Sequence, residues 1–184
     1  MSKARGKTVR AALETALGLI AVLFLVFAAE TVLPGLAEWG IQPRTLRGLP
    51  GVLFSPLLHA SAAHLLANTP PLLILLVLLF LDRHYQPWWT LGQVWIASGL
   101  GTWLIGRGGA VHIGASSIIY GLAAYIIISG VLMGSWRGAL TGVLVFLVYG
   151  GIFYGVLPHP GPVSWEGHFS GAVAGVWAAR RNHA

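Results

Sequence analysis

The chain has 184 residues, of which 56% are hydrophobic and only 9% charged, with a formal net charge of +6 and a mean hydropathy of +0.77. A soluble domain carries about 25% charged residues, so this composition excludes an ordinary soluble globule and indicates a polytopic membrane protein. With no cysteine, disulfides, thiol catalysis and thiolate metal sites are excluded, and the scattered positive charges do not form the one basic face that a nucleic-acid partner needs.

Six hydrophobic segments are predicted to span the bilayer, over residues 12–33, 65–81, 88–105, 116–133, 138–157 and 167–179. Most approach the roughly 20 residues that a spanning helix requires. The expected fold class is an all-α polytopic membrane protein, a single membrane domain over 1–184 with no soluble appendage. Lys3, Arg5, Lys7 and Arg10 make residues 1–11 a basic N-terminus. The apolar run that follows exceeds the about 7–15 residues of a signal h-region and ends in no small-residue cleavage site, so it reads as a retained helix. The lysines and arginines sort by side. Lys3, Arg5, Lys7, Arg10, Arg83, Arg137, Arg180 and Arg181 fall on one face of this topology, and Arg44, Arg47 and Arg107 on the other. The positive-inside rule then puts both termini in the cytoplasm, in a multi-pass protein of the cell membrane.

Pro34-Gly35 ends the first segment, since proline cannot continue the ladder and glycine favours the turn. Residues 38–61 are broken by Gly40, Pro43, Gly48, Pro50, Gly51 and Pro56 yet rich in apolar side chains, which predicts a loop lying in or on the outer leaflet. On the second segment His64 and Asn68 are four apart, so a helix projects both from one face. They either glue this helix to a neighbour or converge on a site. Pro70-Pro71 frees backbone carbonyls at a similar level, which favours a hydrated pocket. His59 reads as a loop or packing contact, and His84 as a solvated residue of the turn 82–89. The segment Gly106-Arg107-Gly108-Gly109 reads as a flexible external link.

That link leads to Gly114-Ala115-Ser116-Ser117, where hydroxyls open an otherwise apolar segment. Polar groups at membrane depth are costly and usually mark a site. Taken alone, the two serines also suit a helix N-cap. The fifth segment carries glycines and no assigned chemistry. In the sixth, Gly167, Gly171 and Gly175 recur every four residues, forming a smooth ridge that fits a close helix contact with Ser117 and Gly121. His168 stands beside that ridge, as a packing hydrogen bond or as a base for a serine. From His168 to Arg180 is about 18 Å of helix and from Ser116 to Gly130 about 21 Å. With a hydrocarbon core about 30 Å thick, both side chains then lie roughly 10 Å below the outer surface and need a water-filled cavity.

Together these motifs resemble the rhomboid intramembrane serine proteases. The matching residues are His64-x-x-x-Asn68, Gly114-Ala115-Ser116-Ser117, Tyr120 one turn on, and His168-x-x-Gly171-x-x-x-Gly175. Ser117 stands where that family commonly has glycine, and the first loop has no clear Trp-Arg pair. The resemblance covers all six spans and implies a six-transmembrane-helix bundle. It also implies a catalytic Ser116–His168 dyad without an acid partner, cutting peptide bonds in or beside transmembrane helices of membrane proteins. The oxyanion hole would be His64, Asn68 and the Ser116 N–H, with Gly114, Tyr120, Gly171 and Gly175 in support. Tyr120 would pack against His168; apart from the resemblance it reads as a packing aromatic. No cofactor and no metal is expected, and the partners are transmembrane substrates and the lipid bilayer. Two other classes fit parts of the pattern: a non-catalytic rhomboid-like protein that binds transmembrane helices, and a transporter or metal carrier using His59, His64 and His168. No carboxylate stands within the spans to join those histidines, since Glu166 lies at a helix mouth.

Overall fold

A computed structural model describes residues 2–158, 161 and 163–183, all of it helix, turn and loop, with no strand among the described residues. The helices are α1 (Ser2–Val32), the short α2 (Gly51–Phe54), α3 (Ala62–Leu81), α4 (Pro87–Ile105), α5 (Ser116–Leu132), α6 (Trp136–Tyr149) and α7 (Trp165–Asn182), joined in places by 3-10 turns. Two of these are long and apolar enough, taken singly, to cross a membrane: Val9–Val32 in α1, of mean hydropathy 2.3, and α3, of mean hydropathy 2.0. The apolar helices α5 and α6 are shorter, at 17 and 14 residues. The basic N-terminal stretch is itself helical and extends α1 to 31 residues.

Helix α5 is the hub, packing against α3, α4, α6 and α7. Its residues 118–126 are buried without interruption, with Leu122, Ala123, Tyr125 and Ile126 fully so. Those side chains join Leu65, Leu75, Leu76 and Leu79 of α3, Val94 of α4 and Ala178 of α7 in one core. Outward faces are apolar as well. Leu25 is 70% exposed and Leu147 71%, the reverse of a water-facing helix and the surface expected against lipid.

Helix ends follow local chemistry. Ser61 caps α3 by accepting the His64 N–H at 3.1 Å, and Ser135 caps α6 by accepting the Gly138 N–H. Helix α3 runs on through Pro70 and Pro71. The segment expected over 138–157 is not one helix: α6 ends at Tyr149, and Gly150–Val156 continues as a 3-10 helix. The pair Gly150-Gly151 accounts for the break, since glycine costs about 1 kcal/mol in an α-helix relative to alanine.

Between α1 and α3 the chain is folded rather than loose. It forms short helical turns tied to the α4–α5 connection by an antiparallel Ile41–His112 bridge. Arg44 adds bonds from Nη1 to the Leu104 and Gly106 carbonyls at 2.9 and 2.8 Å. The Gly114 N–H reaches the Ser55 carbonyl at 2.8 Å. These contacts fix the entry to α5, and so the position of Ser116.

Candidate active site

Ser116 is the first residue of α5 and does not cap it; the N-cap is Ala115, with no side-chain cap bond. Its hydroxyl is aimed across the helix interface instead, with Oγ 3.0 Å from His168 Nε2. On the far side of the ring, His168 Nδ1 lies 3.1 Å from the Gly155 carbonyl. A carbonyl can only accept, so Nδ1 carries the proton and Nε2 is left as the acceptor facing Ser116. That is the tautomer a general base requires. The Tyr120 ring stacks on the imidazole at 4.0 Å between centroids and 9° between planes, which restricts its rotation.

The approach of α7 to α5 depends on glycine. A Cβ added at Gly171 would lie 2.1 Å from the Ser117 carbonyl oxygen, and one at Gly175 would lie 2.0 Å from that of Gly121. Both obstacles are backbone and cannot swing away, so any larger residue separates the helices that carry Ser116 and His168. Ser117 presents its carbonyl to this interface, and the hydroxyl bonded to His168 is that of Ser116.

Gly114 is required twice over. Its φ of +116° is one that side-chain-bearing residues rarely adopt, and a Cβ there would lie 2.6 Å from His64 Cε1. The His64 ring therefore covers the turn that leads into Ser116. Asn68, one turn further along α3, is buried, and its Nδ2 donates to the His64 carbonyl at 3.1 Å, leaving its second amide hydrogen for another acceptor. The N–H of Ser116 is the first of its helix, a position with no intrahelical acceptor.

Several contacts around this neighbourhood are not legible in the sequence. Gly155, from the segment given no chemistry, supplies the carbonyl that orients His168. His59 is only 3% exposed, its ring meets that of His64 edge-on at 5.1 Å, and its N–H donates to Glu30 of α1 at 3.1 Å. Burial holds its imidazole down to about 4, helped by the neighbouring His64 and opposed by the Leu57 carbonyl. Glu166 does stand in the first turn of α7, at the helix mouth, with its side chain 1% exposed and ion-paired with Arg107 at 2.9 Å. Arg107 in turn fixes the stretch read as a flexible link. His84 is exposed and paired with Asp82 at 2.7 Å. Among the described residues no group of three or more histidine and carboxylate side chains converges as a metal site.

A half-buried serine hydroxyl thus meets an oriented imidazole at the N-terminus of the central helix. Comparison with known proteins gives the family. The rhomboid domain family matches residues 46–182 of this chain. An uncharacterized protein of Mycobacterium tuberculosis and one of Mycobacterium bovis are each 43% identical over 174 residues, 90% of this chain and 72% of theirs. An uncharacterized protein of Mycobacterium leprae is 38% identical over 175 residues, 90% of this chain and 69% of its own. With that match spanning the helices that carry Ser116 and His168, this chain is a membrane protein of the rhomboid family.

Proposed function

We propose that the protein is an intramembrane serine endopeptidase that cleaves transmembrane segments of other membrane proteins through a Ser116–His168 dyad. The observation that carries this reading is the 3.0 Å contact of Ser116 Oγ with His168 Nε2, in a chain of a family known for such proteolysis. Six membrane-spanning segments with both termini in the cytoplasm complete the reading.

The chemistry follows from what the groups can do. His168 Nε2 takes the Ser116 proton as Oγ attacks the scissile carbonyl, and the Nδ1–H stays on the Gly155 carbonyl throughout. That carbonyl, with the Tyr120 stack, does the orienting that a carboxylate does in a triad. The oxyanion of the tetrahedral intermediate is met by the Ser116 N–H, Asn68 and His64, donors that count for most where water is excluded. His168 then passes its proton to the leaving amine, and water repeats the sequence on the acyl-enzyme. A substrate helix must be unwound locally, because its carbonyls are otherwise hydrogen-bonded within the helix.

A fluorophosphonate probe tests this directly. It is expected to label purified protein at Ser116, and labelling should vanish in Ser116→Ala while persisting in Ser117→Ala. A protein that only binds helices has no activated hydroxyl to label; the reverse pattern between the two serines would move the nucleophile to Ser117.

A further inference from the structure

A second polar assembly lies beside the dyad, built from side chains the proposed chemistry does not use. Arg107 and His112 belong to the connection 106–115 that delivers Ser116, and Ser164 and Glu166 to the start of α7, which carries His168. The Arg107 guanidinium donates from Nη1 to the Gly161 carbonyl at 2.7 Å and from Nη2 to the Val163 carbonyl at 2.9 Å, while Nε pairs with Glu166 Oε1 at 2.9 Å. Its two terminal nitrogens donate hydrogen bonds while Nε meets Glu166 as an ion pair without hydrogen-bond alignment, a forked arrangement that a lysine ammonium could not reproduce. Ser164 Oγ accepts the Gly167 N–H at 3.1 Å, lies 2.7 Å from His112 Nδ1, and reaches Glu166 Oε2 at 3.4 Å. The His112 ring closes the circuit with Nε2 3.3 Å from the Arg107 carbonyl.

We infer that Arg107, Glu166, Ser164 and His112 form a clamp of positioning residues that sets the distance between Ser116 and His168. His112 stands four residues before Ser116 and Glu166 two before His168, so the clamp ties the two reactive elements together at their ends. Below it the same elements are held by the glycine contacts of Gly171 and Gly175. Those contacts set how closely α5 and α7 approach. The clamp ties their ends at one level, because a shift of Glu166 breaks its pair with Arg107 and leaves a carboxylate with 1% exposure uncompensated. The exposed pair of Arg47 and Glu38, by contrast, joins nothing that leads to the dyad.

This inference rests on the dyad reading. The test uses the probe of that reading on purified full-length protein, following both the rate constant of labelling and the fraction labelled at completion. Glu166→Gln and Arg107→Lys are expected to lower the rate constant by on the order of 10- to 100-fold, the range that a displacement of about 1 Å produces, with most protein still labelled at the end. With a model substrate, kcat should fall while KM stays within about twofold of the parent. Arg47→Gln should match the parent in both readouts. A parental rate constant in Glu166→Gln and Arg107→Lys overturns the clamp, as does a loss confined to the labelled fraction, which is what a purely structural role predicts. The dyad reading fails separately: there His168→Ala labels as fast as the parent.

Discussion

In the dyad proposed above, the contact between Ser116 Oγ and His168 Nε2 makes the two side chains one reactive unit, and a unit loses its function whichever half is removed. Ser116→Ala and His168→Ala should each abolish cleavage of a model transmembrane substrate, and the double variant should be no slower than either single one. Additive losses in a kinetic comparison of the three would show that the residues act independently. The proposed oxyanion donors should behave differently because they are several. Asn68→Ala should leave a measurable remainder, reduced by on the order of 10²–10³ in kcat, and His64→Ala should do the same. His59, which touches the His64 ring and not the dyad, should cost less than His64 when replaced by alanine.

At the scale of elements, the α5–α7 interface is where the site is most sensitive to volume. Gly171→Ala puts a Cβ within 2.1 Å of the Ser117 carbonyl oxygen, which forces the helices apart. Overpacking of this kind costs about 1–3 kcal/mol or more, so the variant should melt at a lower temperature in detergent and label more slowly at Ser116. Gly18 of α1 is the control, since nothing lies within 4 Å of a Cβ placed there. Gly18→Ala should be neutral or slightly stabilising, because alanine is the better helix former by about 1 kcal/mol. Equal melting losses in the two variants would mean that the close approach is not what the ridge provides. The ridge, His64 with Asn68, and the small residues around Ser116 were legible in the sequence because each is a local pattern at helical spacing. The clamp and the Gly155 carbonyl were not, for a physical reason. Arg107 and Glu166 are far apart in the chain, and only the fold shows that a link rich in glycine is pinned by its arginine. Gly155 acts through its backbone, which no side-chain pattern records. The end of α6 at Tyr149 was hidden in the same way, because an apolar run does not say where α-helix gives way to 3-10 helix.

For the whole molecule, helix length decides how the chain meets the bilayer. At 31 residues α1 extends about 46 Å, well beyond a hydrocarbon core of about 30 Å. In the proposed topology its exposed Arg10–Glu14 pair belongs to the cytoplasmic end outside the core. Helices α5 and α7, of 17 and 18 residues, reach about 26 and 27 Å, which a bilayer accommodates by thinning slightly. Helix α6 is shorter still, about 21 Å for its 14 residues. The 3-10 run Gly150–Val156 adds about 14 Å at roughly 2 Å per residue, a combined length sufficient for the crossing proposed above. The six-span arrangement proposed above would gather the basic residues Arg83, Arg137, Arg180 and Arg181 on the side of the N-terminus. Reporter fusions after Arg83, Arg137 and the C-terminal Ala184 should therefore read cytoplasmic, and fusions near Arg47, Arg107 and Pro160 external; Pro160 and Ala184 lie outside the described residues. The fusion at Pro160 is the most informative, because it reports whether α6 and its 3-10 extension cross as a unit. A cytoplasmic signal there, with Arg137 also cytoplasmic, would mean that this segment turns back within the bilayer. His168 would then sit near the cytoplasmic face, and its bond to Ser116 could not coexist with an external Arg107.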